Sequence, residues 1–208
     1  MTRVPSAAGR AALVGLVAGP LVLAVAIVGL GLATSGYDAS AETVSALGAP
    51  GRPWAWAARL VLAGYGAVVA LAAPGLGSRV VERRTVLVGC VVAFGAGAAV
   101  AGAFPKGVMG TPPTTSGHVH VVAALVGTAS LLVAMWIVAR GAAVAVERAV
   151  AWVALVLVAL GSVVFRQTWG TEWYGVAERV VLGAAVCWLA AEAWWALRPR
   201  AAPLGADR

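Results

Sequence analysis

Between Arg10 and Asp38 the chain carries no acidic or basic side chain. The apolar part of that stretch, 11–33, is about 23 residues long. A helix rising about 1.5 Å per residue crosses the roughly 30 Å hydrocarbon core of a bilayer in about 20 residues. The stretch is longer than the apolar region of a cleaved leader, and the small-residue triplet Ala39-Ser40-Ala41 lies far beyond it, so we read an uncleaved first span. Gly15 and Gly19 form a GxxxG pair that lets a neighbouring helix approach, and Pro20 is positioned to kink the helix.

Five more apolar runs follow, predicting spans at 54–76, 85–104, 117–138, 148–166 and 176–197. In the third, Gly95, Ala99 and Ala103 make a stripe of small residues. The sixth is interrupted by Glu178, Arg179 and Glu192, which lie near its ends, where long side chains reach the headgroups. The expectation is an all-α integral membrane bundle: one six-helix domain, 1–198, with a short polar tail at 199–208. Composition agrees. The chain is 62% hydrophobic and 11% charged, with mean hydropathy +0.93, whereas a soluble domain is about half apolar and about a quarter charged.

The formal charge of +7 does not point to nucleic acid, because the basic residues sit singly or in pairs between apolar runs instead of clustering on one polar face. They serve better as orienting charges. Arg3, Arg10, Arg79, Arg83, Arg84, Arg140, Arg148, Arg198, Arg200 and Arg208 fall on the side of the termini, against Arg52, Arg59, Lys106, Arg166 and Arg179 opposite. Ten against five predicts cytoplasmic termini in a bacterial plasma membrane. Trp54, Trp56, Trp169 and Trp173 then lie at the outer interface, and Trp136, Trp152, Trp194 and Trp195 at the inner one. Cys90 and Cys187 fall inside apolar runs and suggest neither a disulfide nor a reaction.

Polar chemistry collects on the outer side. An even number of crossings puts the first, third and fifth loops on one face, with Tyr37, Asp38, Glu42 and Ser45, then Lys106, His118 and His120, then Arg166, Gln167, Glu172, Glu178 and Arg179. Glu82 and Glu147, beside arginines on the inner side, read as solvated loop. Glu178 is placed to pair with Arg59 or Arg166, with His120 joining them. His118 and His120 could share an ion only if the segment before Val119 were extended, since helical positions i and i+2 point about 200° apart. Haem needs histidines from facing helices, and only one segment carries them. A hydrolytic Ser45–His120–Asp38 arrangement is conceivable, without a nucleophile elbow. No phosphate-binding glycine loop is present, nor a mid-span acid of the kind that couples ions.

Tyr37-Asp38, then Thr43-Val44-Ser45-Ala46-Leu47-Gly48-Ala49-Pro50-Gly51, then Trp54 and a glycine-rich helix together resemble the signature of a bacterial and archaeal membrane family, domain of unknown function 998. Phe104-Pro105 followed by Gly117-His118-Val119-His120 resembles its Phe-Pro…Gly-x-x-His stretch, which carries over His120. Gly175-Val176-Ala177-Glu178-Arg179 resembles the Gly-x-x-x-Arg start of its last helix. The resemblance covers nearly the whole chain and implies a six-helix membrane fold without an assigned activity. Two departures, Ala46 and Lys106-Gly107 where the family pattern has acidic residues, weaken any metal or acid–base role. A broad likeness to eukaryotic six-span proteins of the Frag1/DRAM/Sfk1 type implies, for the fold alone, association with membrane lipid.

These observations lead to a non-enzymatic membrane protein with an outward-facing polar pocket lined by Asp38, Ser45, His120, Arg166, Glu178 and Arg179. Its expected occupant is a lipid headgroup, a small amphiphile or a partner membrane protein; no metal, cofactor or nucleic acid is expected. The alternatives are an outward-facing hydrolase or metal-assisted lipid enzyme, and a purely structural bundle.

Overall fold

A computed structural model describes residues 6–77, 83–108 and 110–198. Arg3, Arg79, Glu82, Arg200, Arg208 and the tail from 199 lie outside the described residues. Six helices make up the fold: α1 Ala7–Leu32, α2 Ala55–Leu76, α3 Arg84–Ala103, α4 Thr115–Gly141, α5 Ala145–Gln167 and α6 Tyr174–Leu197. All six are long and apolar enough to cross a membrane, and no strand occurs among the described residues. Leu21, Val25 and Leu32 on α1 and Leu160 on α5 are more than 60% exposed, a surface that only hydrocarbon solvates without cost. The protein is a multi-pass membrane protein.

Two of the six helix starts, those of α1 and α4, follow capping chemistry more than hydropathy. Ser6 accepts a hydrogen bond from the Gly9 N–H at 3.2 Å, which begins α1 four residues before the uncharged run. Thr114 accepts from the Gly117 N–H at 3.0 Å and begins α4 at Thr115. Both histidines are therefore helical, and the extended segment that would have let them face one ion is not adopted. Glu147 differs from its expected place in a solvated loop. It sits in the first turn of α5, 4% exposed, where the helix dipole favours a carboxylate.

The helices close into a ring in chain order, with α1 completing it against α6. Glycine sets how closely α2, α3 and α4 approach. A Cβ added at Gly66 would lie 2.5 Å from both the Ala99 nitrogen and the Gly95 oxygen, and one at Gly97 would lie 2.6 Å from the Ala123 oxygen. The backbones themselves are in contact there, as in small-residue packing between spans. The Gly15–Gly19 face of α1 works differently, receiving the side chains of Val68 and Tyr65 from α2.

The two halves of the ring are filled differently. Toward the termini it holds an apolar core that includes Leu16, Val69, Val91, Met135, Val158 and Trp188. Toward the other end the core is completed by the α1–α2 connection, which folds into the mouth of the ring. Its 3₁₀ helix, Val44–Gly48, packs on α1, α2 and α6, and Thr43, Val44, Ser45, Leu47 and Ala49 are buried. The polar loop residues are thereby carried inward to meet the start of α6.

Candidate functional site

The site is assembled where the α1–α2 loop meets α6. Asp38 begins it as a turn former: its Oδ1 accepts from the Ser40 N–H at 2.9 Å and from the Ser40 hydroxyl at 2.6 Å. These bonds hold its carboxyl below the usual carboxylate range. The turn aims the Ser40 carbonyl at the start of α6, where it accepts from the Gly175 N–H at 2.7 Å and the Val176 N–H at 3.1 Å. Two of the orphan donors that every helix start presents are thus satisfied by a loop distant in sequence. Position 175 must be glycine, because a Cβ there would collide with the carbonyl oxygens of Glu42 and Ala39.

One turn along α6, Glu178 accepts from the Val44 N–H and, at 3.3 Å, from the Ser45 hydroxyl. It thereby caps the 3₁₀ helix through its carboxylate. Arg179 donates to the Glu42 and Gly175 carbonyls, each at 2.9 Å, and to the Tyr37 hydroxyl. That hydroxyl donates to the Thr43 carbonyl at 3.0 Å, and burial pushes its pKa up although Arg179 pulls it down. Arg52 forms an ion pair with Glu42.

Lys106, from the α3–α4 connection, closes the arrangement. Its Nζ donates to Tyr174 Oη at 3.2 Å and to Thr43 Oγ1 at 3.4 Å, and Thr43 Oγ1 also accepts from the Ser45 hydroxyl at 3.1 Å. Burial lowers the Lys106 pKa, and attraction to Glu178 offsets part of that.

The expected site residues divide. Ser45, Glu178 and Arg179 meet in this network, and Asp38 holds its rim through Ser40. His120 does not join them: its Nδ1 lies 2.8 Å from the Ala101 oxygen and 3.0 Å from the Phe104 oxygen, ties α4 to the end of α3, and must carry the proton to do so. Arg166 is exposed at the end of α5. The anticipated partners of Glu178 are likewise replaced: Arg59 donates to the Gly48 carbonyl at 2.7 Å, and the cations felt by Glu178 are Lys106 and Arg179. Asp38, Ser45 and His120 do not gather as a triad. Reading the loops separately missed Lys106, Thr43 and Tyr174. One signal was available: the Thr43–Ala49 segment is mostly apolar, unlike a solvated loop, and so is suited to burial.

Beside this network a groove of about 180 Å³ runs between the far ends of α1 and α6. Ile27, Val28, Gly31, Leu32 and Ala39 form its apolar walls, and Tyr37 and Arg179 its polar end. Arg179 is therefore shared: it holds the loop and also faces the groove.

A family model described as a protein of unknown function, DUF998, matches residues 17–195. No curated protein and no solved structure matches the chain.

Proposed function

We propose, for a chain that belongs to the DUF998 family of proteins, that this multi-pass membrane protein binds an anionic amphiphile in the groove between α1 and α6. The observation that carries the reading is the composition of that groove. Aliphatic walls on lipid-facing helix surface end at a guanidinium whose hydrogen bonds go to carbonyls and a phenol. A chain and a phosphate-like headgroup match the two ends, and arginine suits such oxyanions. The excess of arginine on the side of the termini favours an orientation in which this end faces outward from a bacterial plasma membrane.

Binding is favoured over hydrolysis by burial. Ser45 and Thr43 are almost wholly enclosed, and the Ser45 hydroxyl donates to Glu178 and Thr43 instead of to a histidine. A purely architectural role has one observation of its own, since most polar atoms of the network bond to one another; a partner membrane protein would cover the same face.

One experiment separates these readings. Val28→Trp fills the groove without touching the Arg179 contacts. Native mass spectrometry of protein purified from mixed phosphatidylglycerol and phosphatidylcholine should show wild type retaining phosphatidylglycerol, and the variant losing it at an unchanged melting temperature. Equal retention by both proteins rejects the groove. Absence of retained lipid from wild type favours the architectural role, and a co-purifying protein lost from the variant favours a partner.

A further inference from the structure

One cation in the mouth of the bundle differs from the others in its hydrogen-bond partners, although Arg52 and Arg179 too lie over a ring, that of Tyr37, at 5.9 and 5.8 Å from its centroid. Arg52 forms an ion pair with Glu42, and Arg59 and Arg179 donate to backbone carbonyls. Lys106, the single lysine of the chain, is enclosed by rings and neutral oxygens. Its Nζ lies 5.3 Å from the Trp169 ring centroid and 5.0 Å from that of Tyr174. The Tyr174 and Thr43 hydroxyl oxygens accept its hydrogen bonds at 3.2 and 3.4 Å. Phe165 stacks on Tyr174 with centroids 4.6 Å apart and planes 5° apart, which fixes that ring. Glu178 lies one turn after Tyr174 on the same helix face and attracts the ammonium through space. Aromatic faces, neutral oxygens and a carboxylate at a remove form the environment in which proteins recognise organic ammonium ions.

We propose that Trp169, Tyr174, Thr43 and Glu178 form a binding site for a quaternary ammonium group, with Lys106 as its tethered occupant, exchanged for the ligand. The occupant fits its cage imperfectly. A primary ammonium is strongly hydrated, and the cost of stripping that water is what lowers the Lys106 pKa. A quaternary ammonium has no N–H to desolvate and presents methyl groups to the rings. The cage is open on one side, where Trp169 is 53% exposed, and Lys106 sits in a non-helical connection. The site is independent of the α1–α6 groove: it takes the opposite charge and uses other residues.

The single lysine makes the test direct. Reductive methylation of the full chain with ¹³C-formaldehyde labels Lys106 and the N-terminus and preserves their charge. The Lys106 methyl resonance should lie upfield of an exposed lysine, under the ring currents of Trp169 and Tyr174. Tetramethylammonium chloride should return it to the exposed position, while sodium chloride at equal ionic strength leaves it in place. Lys106→Ala, with the cage empty, should bind tetramethylammonium about ten-fold more tightly than wild type, and adding Trp169→Ala should abolish that gain. In nanodiscs, displacement by phosphatidylcholine but not phosphatidylglycerol identifies a lipid headgroup as the source; displacement by tetramethylammonium alone identifies a soluble cation. A methyl signal at the exposed position from the outset, or one that tetramethylammonium does not move, overturns the proposal. A folded Lys106→Ala protein with no gain in binding overturns it as well, and if that variant does not fold the resonance titration decides alone.

Discussion

Tyr65 projects from the middle of α2 against Gly19 of α1, and its hydroxyl has no hydrogen-bond partner among the described residues. An unmatched buried hydroxyl costs about 1–3 kcal/mol, so Tyr65→Phe is expected to stabilise the protein by about 1 kcal/mol, read as a later midpoint in denaturing-detergent titration. Destabilisation instead would reveal a bound group at that hydroxyl. Lys106 makes a prediction about pH. Its pKa in the folded protein is lower than in the unfolded chain, so the unfolded state binds more protons between the two values and stability rises with pH across that window. The gain is complete above the ordinary lysine value of about 10.4. Tyr37, with its pKa raised, acts oppositely and loses its contribution as pH climbs above about 10. The melting temperature of wild type relative to Lys106→Met should therefore rise as the pH is raised toward the ordinary lysine value of about 10.4. A constant difference across that range contradicts the assignment.

At the level of elements, the closest contacts depend on missing side chains. A leucine at position 66 must drive α2 from the Gly95–Ala99 backbone of α3, and overpacking of this kind costs about 1–3 kcal/mol or more. Gly66→Leu should accordingly lower the melting temperature sharply. Gly89→Ala on the same pair of helices, where nothing lies within 4 Å of the added Cβ, should leave it unchanged. If both behaved alike, the α2–α3 spacing would not be set by glycine. The loop–helix junction has its own test. Gly175→Ala displaces the Ala39 and Glu42 carbonyls from the start of α6 and should lift the 3₁₀ helix from the mouth. Faster amide exchange at residues 43–48, with the core of α3 and α4 unaffected, is the expected signature. The small-residue stripe of α3 was legible from spacing alone. Which carbonyl would cap α6 was not, because that bond joins Ser40 to Gly175 across most of the chain.

For the molecule as a whole, the sixfold crossing requires Ser35, His118 and Glu172 to share one side. In a background with Cys90 and Cys187 replaced, single cysteines at these exposed positions should react alike with an impermeant maleimide added outside intact cells. Reaction of position 35 and position 118 from opposite compartments would contradict six crossings, whereas uniform protection would reverse only the proposed orientation. The sequence by itself determined that the chain is a membrane bundle of six helices. The reason is that hydrocarbon leaves backbone polar groups no partner outside the helix, so runs of about 20 apolar residues have one available structure. It also placed Ser45, Glu178 and Arg179 on a common side by parity. Only the tertiary structure decided that the first loop would descend into the ring, and that His120 would bond to the end of α3 while Lys106 turned toward Trp169 and Tyr174. Those choices rest on side-chain and carbonyl geometry between segments far apart in the chain, where apolar periodicity carries no information.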